Sequence, residues 1–386
     1  MHSAAGFRIY YTDPAFFAET ITDWGGESRR CCTATMLQMG WLVVAAAAAR
    51  GPHPRNKFQG TYDLRALVAA SPLLGPYIVS AAASKSKRQT LDFANPEAVR
   101  ALNRALLALD YGVTADLPPG VLCPPVPGRA DYVHFVADIL AADTVHGEPP
   151  RGDAVRGLDI GTGASFIYPL LAASAYGWAC VGSECNSASA ASAEHLRNAN
   201  CGQHPSLQAA EVRTQPDRFR ILDGVVRPGD QFDYLVCNPP FYESEEACAR
   251  ENARKVAGLA LSTRKRGGSD SASGGAARAA SLAGVSNNFG GGGEELWCPG
   301  GELAFVSGLV RDSEHFGAQV LWFSTIVSRR EHLPQLQAQL RRAAGLAQVR
   351  VLEMGQGNKR TSLLFWSFRT AEERRGWAER RGWAGG

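Results

Sequence analysis

From residue 154 onward, short apolar runs alternate with segments whose apolar side chains recur every three or four positions, the pattern of strands feeding helices. "AVRGLDI" reads as a strand ending at Asp159, followed by a turn with Gly161 and Gly163 and a helix carrying Ile167, Leu170 and Leu171. "WACVGSE" is a second strand closing on Glu184, "SASAASAEHLRNAN" a helix, "RFRILDG" a third strand ending at Asp223, and "QFDYLVCNPPF" a fourth with a proline corner. A helix over "GGELAFVSGLVRDSEHF", a strand "AQVLWFSTIVS", a helix "LPQLQAQLRRAAG" and the strands "AQVRVLEM" and "TSLLFWSF" follow. Only "GQGNKR" joins the last two, too little for a crossover helix, so they pair antiparallel. The series predicts an α/β fold whose mostly parallel sheet ends in an antiparallel hairpin.

Upstream the pattern is helical. "NPEAVRALNRALLALDYG" offers Asn95 as an N-cap, Pro96 at the first helical position and a stripe of Val99, Leu102, Leu106 and Leu109. "VPGRADYVHFVADIL" gives a second helix with Val133, Val136, Ala137 and Leu140 on one face and Arg129 standing before it. The apolar run from Met36 is too short and Ala-rich for a membrane span and too far from the start for an ordinary signal peptide, so residues 1–50 read as a poorly structured extension. Residues 51–150 form an N-terminal helical region, 151–370 the α/β domain and 371–386 a C-terminal tail. Between Arg250 and Phe289 a Gly/Ser/Ala-rich stretch with seven basic and two acidic residues reads as a flexible insertion.

Charge changes this picture locally. The net charge of +3 over 386 residues neither requires nor excludes a polyanion, but Arg50 to Arg104 carries nine Lys or Arg against three Asp or Glu. Within it, "GPHPRNKFQG" sets His53, Arg55, Asn56 and Lys57 in a proline-punctuated arm suited to following a phosphate backbone. For Arg100 and Arg104 a solvated helix face is an equal explanation. Nine cysteines without a C-x-x-C pair fit reduced thiols rather than a disulfide frame, and no metal site is expected.

The candidate chemistry gathers at strand ends, where open parallel sheets place their ligands. Gly161 and Gly163 after Asp159 let backbone N–H groups approach a ligand at a helix N-terminus, and Ser165 in place of a third glycine favours a nucleoside over a dinucleotide. Glu184 is placed to bind ribose hydroxyls. "CNPPFY" then supplies acceptors. An adenine's exocyclic amine is a poor nucleophile because its lone pair is delocalised, and the Asn238 side-chain oxygen with the Pro239 carbonyl can hold its two hydrogens. Pro239 and Pro240 stiffen the corner, and Phe241 offers a face to an unstacked base. Taken alone, the same residues also make a turn that ends a strand.

The layout is that of class I methyltransferases. Moreover "HPRNKFQGTYDLRALVAASP", "LDFANPEAVRALNRALL", "LDIGTGASFIYPLL", "CNPPF", "NNFGGGGEELWCPGGELAFVS" and "WSF" together resemble the ribosomal RNA large-subunit methyltransferase F family, relatives of methyltransferase-like protein sixteen, over roughly residues 52 to 369. The resemblance implies S-adenosylmethionine-dependent N6-methylation of a defined adenine in structured RNA. It implies that Asn238, Pro239, Pro240 and Phe241 form the catalytic corner, that Asp159, Gly161, Gly163, Glu184 and Asn238 hold the cofactor with Arg129 near its carboxylate, and that Asp223 lies on the adenine side. A monomeric cytoplasmic enzyme with RNA as partner, and neither membrane nor metal, is the expectation. Rival readings are methylation of DNA adenine, of protein glutamine or of a small nuclear RNA or mRNA hairpin, and an inactive RNA-binding module.

Overall fold

The computed structural model describes residues 51–80, 89–93, 95–118, 121, 124–251, 254, 296–356 and 359–383. The expected extension over 1–50 and nearly all of the expected insertion over 250–289 lie outside the described residues.

The N-terminal region is helical as the pattern indicates. Helix α1 (Leu64–Ala70) is capped by the Asp63 carboxylate, which accepts from the Arg65 and Ala66 amides. A two-stranded antiparallel ribbon of β1 (Ile78–Ser80) and β2 (Gln89–Leu91) follows. Helix α2 (Pro96–Tyr111) starts at the Asn95 cap, as its sequence indicates, and stops at Gly112 in the left-handed region. Its expected stripe is rotated: Leu109 stays 43% exposed, while Ala98, Ala101 and Ala105 are buried with Val99, Leu102 and Leu106. Small residues let neighbours pack closely, so the buried face is centred on the alanines. Helix α3 (Val126–Ala141) is buried on nearly every side, and Arg129 sits in its first turn rather than before it.

The α/β domain opens with β3 (Arg156–Ile160), α4 (Ile167–Tyr176), β4 (Ala179–Glu184), α5 (Ser187–Asn200) and β5 (Glu211–Thr214). It returns through β6 (Phe232–Cys237), α6 (Gly301–Phe316), β7 (Val320–Val327), α7 (Leu333–Arg342), β8 (Gln348–Gln356) and β9 (Lys359–Ser367). The seven strands lie in the order β5-β4-β3-β6-β7-β9-β8, parallel from β5 to β7 and antiparallel across the last two pairings. Helices cover both faces, so β4, β6 and β7 are buried at every position, and their sequences are mostly apolar apart from a few paired polar residues such as Asp233 and Ser324. One core includes Tyr132, Leu171, Tyr234 and Trp322; the other packs α6 and α7 against Leu158, Leu235 and Phe323.

The third strand departs from expectation. It is β5, Glu211–Thr214, and "RFRILDG" belongs to the turns that follow. The cause is a buried charge. Arg213 faces inward, its Nη1 donating to Asp230 at 2.6 Å and its guanidinium 6.0 Å from the Phe232 ring. Its inward position therefore reads in the sequence as a solvent one, and the strand is disguised.

The segment called a tail contains α8 (Ala371–Arg380), which begins with a capping box between Thr370 and Glu373. Trp377 Nε1 donates to the buried Asp233 carboxylate at 2.7 Å, at the start of β6. Arg374 Nε donates to Asp143 at 2.9 Å, and Trp322 Nε1 donates to the same carboxylate at 2.7 Å. Asp143 follows α3, so one buried carboxylate ties the N-terminal region, β7 and α8 together. Removing one member of a buried pair strands the other charge. Arg374→Ala is expected to lower stability by about 3 kcal/mol, read as a shifted urea midpoint; an unchanged midpoint would show that the tie is dispensable.

Candidate active site

Strand register assembles the site. Ile160 pairs with Ser183 on β4 and with Cys237 on β6. The residues that follow these three, Gly161, Glu184 and Asn238, are therefore neighbours along the carboxyl edge of the sheet. After β3 the chain turns sharply: Gly161 and Gly163 have φ of +68° and +63°, and a Cβ at either would meet nothing within 4 Å. These glycines thus line open space instead of filling a packing gap. Phe166, at φ +50°, is the one non-glycine with positive φ among the described residues, and its fully buried ring accompanies the start of α4. Space for that ring comes from Gly182 in β4, where a Cβ would lie 2.7 Å from Phe166 and 2.9 Å from Thr162.

The loop is bonded to the strand ends. Thr162 N donates to the Ser183 carbonyl at 2.9 Å. The Glu184 carboxylate accepts from Gly163 N and from Asn186 N, each at 2.9 Å. Asp159 accepts from the Thr162 hydroxyl on one oxygen at 2.7 Å, while its other oxygen, Oδ1, is buried without a hydrogen-bond partner. Beneath it lies a small apolar cavity lined by Val133, Val136, Tyr168, Cys180 and Tyr234. Burial raises the Asp159 carboxyl to about 7; the nearby Glu184 adds to the rise, and the Thr162 hydrogen bond and the Arg129 charge oppose it.

The proline corner is braced from behind and beside. Cys237 N donates to the Tyr132 hydroxyl at 3.4 Å, and the Tyr132 and Ser324 hydroxyls lie 2.8 Å apart. Phe241 N and Tyr242 N both donate to the Leu296 carbonyl, at 3.0 and 3.1 Å, and Cys298 N returns a bond to Tyr242 at 3.0 Å. From α3, Arg129 Nη1 donates to Asn238 Oδ1 at 3.2 Å and to the Tyr168 hydroxyl at 2.9 Å. Arg129 thus fixes the carboxamide of Asn238.

A sequence profile of the RNA methyltransferase family matches residues 46–370. The chain belongs to this RNA methyltransferase family. It is 43% identical over 326 residues to ribosomal RNA large subunit methyltransferase F of Pseudomonas putida strain GB-1, covering 84% of this chain and 95% of that protein. With the protein of the same description from Pseudomonas syringae pv. tomato it shares 44% over 317 residues, 82% and 89% of the two chains. Among solved structures it is similar to the hMettl16 catalytic domain in complex with MAT2A 3'UTR hairpin 6, with TM-score 0.62, 28% identity and coverage of 83% of this chain and 98% of that one. The N-terminal domain of human METTL16 in complex with SAH gives TM-score 0.59 at 26% identity, covering 83% of this chain and 100% of that one. The fold is that of a class I methyltransferase, and the methyl donor of this RNA methyltransferase is S-adenosylmethionine.

The residues fit such a donor. The open glycine turn and the strand-end Glu184 make a cleft for a nucleoside beside the corner, and Asp159, buried behind the turn, holds Thr162 within it. Of the residues the sequence points to, the fold brings Asp159, Gly161, Gly163, Glu184, Arg129 and the Asn238 to Phe241 corner to one edge of the sheet. The sequence reading missed Thr162, Phe166, Tyr168 and Gly182; a lone glycine inside an apolar strand was the available signal for Gly182. Asp223 does not end a strand: its side chain is 61% exposed and paired with Arg220.

The basic arm of this RNA methyltransferase is also placed differently from a free arm. His53 and Asn56 are buried, with His53 Nε2 2.9 Å from Asp138 and Asn56 Nδ2 donating to Asp131 and to the Pro127 carbonyl. Arg55 pairs with Asp138 at 2.6 Å and donates to the His134 carbonyl and the Tyr176 hydroxyl. Lys57 is exposed. Three of the four arm residues therefore dock the region onto α3.

The raised Asp159 carboxyl has a consequence for stability. The folded chain keeps this proton at pH values where the unfolded chain has released it, so the group stabilises at low pH and that contribution is lost as the pH rises to about 7. Asp159→Asn keeps the shape without the charge. Its melting temperature is expected to exceed the wild type's at pH 8, by an effect on the order of 2 kcal/mol, with no gain at pH 4. Equal melting curves at pH 8 would show that Asp159 ionises without penalty.

Proposed function

We propose that this enzyme methylates the N6 amine of one adenine in structured RNA, with large-subunit ribosomal RNA as the substrate. The observation that carries the reading is the Asn238 carboxamide, held by Arg129 at the carboxyl end of β6 in the same row as Gly161 and Glu184. The choice of ribosomal RNA rests on 43% identity over nearly the whole of a protein described as acting there. A messenger RNA hairpin is the second reading, favoured by the human structure solved with a 3'UTR hairpin.

Chemically, the corner solves the problem of a conjugated amine. Asn238 Oδ1 has two lone pairs, so the bond from Arg129 orients the amide while one acceptor position remains for an N6 hydrogen. The Pro239 carbonyl accepts the other hydrogen. Held by two acceptors, the nitrogen moves toward a pyramidal geometry and its lone pair turns toward the methyl carbon. When bound, S-adenosylmethionine would supply an electrophilic methyl on its sulfonium, passing it to N6 as the thioether S-adenosylhomocysteine leaves and the N6 proton goes to solvent. Phe241 stacks on the flipped adenine, and the bonds from Phe241 and Tyr242 to Leu296 keep that ring in place. Arg129, held beside Asn238, would also pair with the donor's carboxylate. Glu184 would accept from the donor's ribose hydroxyls, with Asp159 supporting the glycine turn through Thr162.

Asn238→Ala is expected to bind S-adenosylmethionine within a few-fold of wild type in calorimetry and to lose about 100-fold or more in methyl transfer to total RNA with labelled donor. Mapping the label then identifies the adenine. Full turnover by Asn238→Ala removes the residue from the chemistry, and label recovered only in protein overturns the RNA substrate.

Of the arm, Lys57 is the residue proposed to touch phosphate. Lys57→Glu is expected to weaken RNA binding and to lower the slope of log affinity against log salt by about one. An unchanged slope would assign Lys57 to the solvated surface.

A further inference from the structure

Phe219 is the most exposed large apolar side chain among the described residues, at 78%. A ring left in water is normally an accident of a loose loop, yet this turn is tightly bonded. Phe219 N donates to Asp217 Oδ1 at 2.9 Å, Asp217 N to Gln215 Oε1 at 3.1 Å, and Arg220 N to the Asp217 carbonyl at 3.0 Å. Gln215 N in turn donates to the carbonyl of Glu184 at 2.8 Å, and Gln215 Nε2 to that of Asp223 at 2.9 Å. The turn is thereby anchored to the end of β4, beside the cofactor cleft.

Its other side reaches the catalytic corner. The Arg218 guanidinium lies 5.6 Å from the centre of the Trp297 ring, and Trp297 bridges to Tyr242, next to Phe241. A stacked guanidinium keeps its in-plane N–H donors for a phosphate. Phe219 therefore stands on the rim between Glu184 and the corner, directly after a cation of that kind. Aromatic faces interleaved with arginine are the chemistry by which proteins hold unpaired nucleotides. Flipping one adenine leaves its neighbours without a stacking partner.

We propose that Phe219 is the stacking platform for an unpaired RNA base adjacent to the target adenine, with Arg218 on the intervening phosphate. This rests on the RNA-methylating reading of the site and adds a residue that selects how the acceptor loop is presented.

The test compares full-length Phe219→Ala and Phe219→Tyr with wild type. Affinity for a labelled stem-loop spanning the mapped acceptor adenine is read by fluorescence anisotropy without cofactor, and S-adenosylmethionine affinity by calorimetry without RNA. Phe219→Ala is expected to bind the stem-loop roughly tenfold more weakly and Phe219→Tyr within about twofold of wild type, with cofactor affinity unchanged in both. RNA affinity unchanged in Phe219→Ala overturns the proposal. So does lost cofactor affinity with RNA affinity intact, which would place the ring over the donor's adenine. Wild-type methylation of the same stem-loop is measured alongside: its absence overturns the parent reading as well, whereas its presence with unaltered Phe219→Ala binding overturns this proposal alone.

Discussion

The pairing of β3 with β6 is the constraint on which the molecule depends. Chain passing outward through β4 and β5 and then back through β6 and β7 puts the switch in strand order between β3 and β6, at their carboxyl ends. A crevice is forced at that point by topology, whatever residues line it. What the sequence decides is the lining: a glycine turn, a strand-end glutamate and a proline corner arrive at the same edge because three parallel strands end in register.

Much of this was legible in advance. Strands β3, β4, β6 and β7 announce themselves as largely apolar runs, and the closing hairpin follows from a linker too short for a helix. The corner and glycine turn were legible because each is an unusual local conformation that few residue types permit. What escaped was set by tertiary pairing. Arg213 buries its charge against Asp230 and so hid β5, which moved the third strand away from Asp223. Tyr168 and Tyr132 look like ordinary core aromatics in the sequence, yet their hydroxyls hold Arg129 and Cys237. No periodicity distinguishes a tyrosine packed for its ring from one retained for its oxygen.

The N-terminal region shows the same limit in charge. Basic residues read along the chain suggest a surface for polyanions, but carboxylates on α3 take up Arg55 and hold His53 and Asn56 inside. Those contacts also set where α3 lies, and α3 carries Arg129 to Asn238. The arm is therefore linked to Asn238 through the placement of a helix.

The bond from Trp377 to Asp233 has a bearing on synthesis. Asp233 is the second residue of β6, the strand that Asn238 follows, and its indole partner lies on α8. Translation delivers α8 after every strand of the sheet, so in an emerging chain one Asp233 oxygen already accepts from Arg156 N on β3 while the other waits for the Trp377 indole and the Arg381 guanidinium. The charge inside the central strand is thus fully satisfied only after every strand of the sheet has been made.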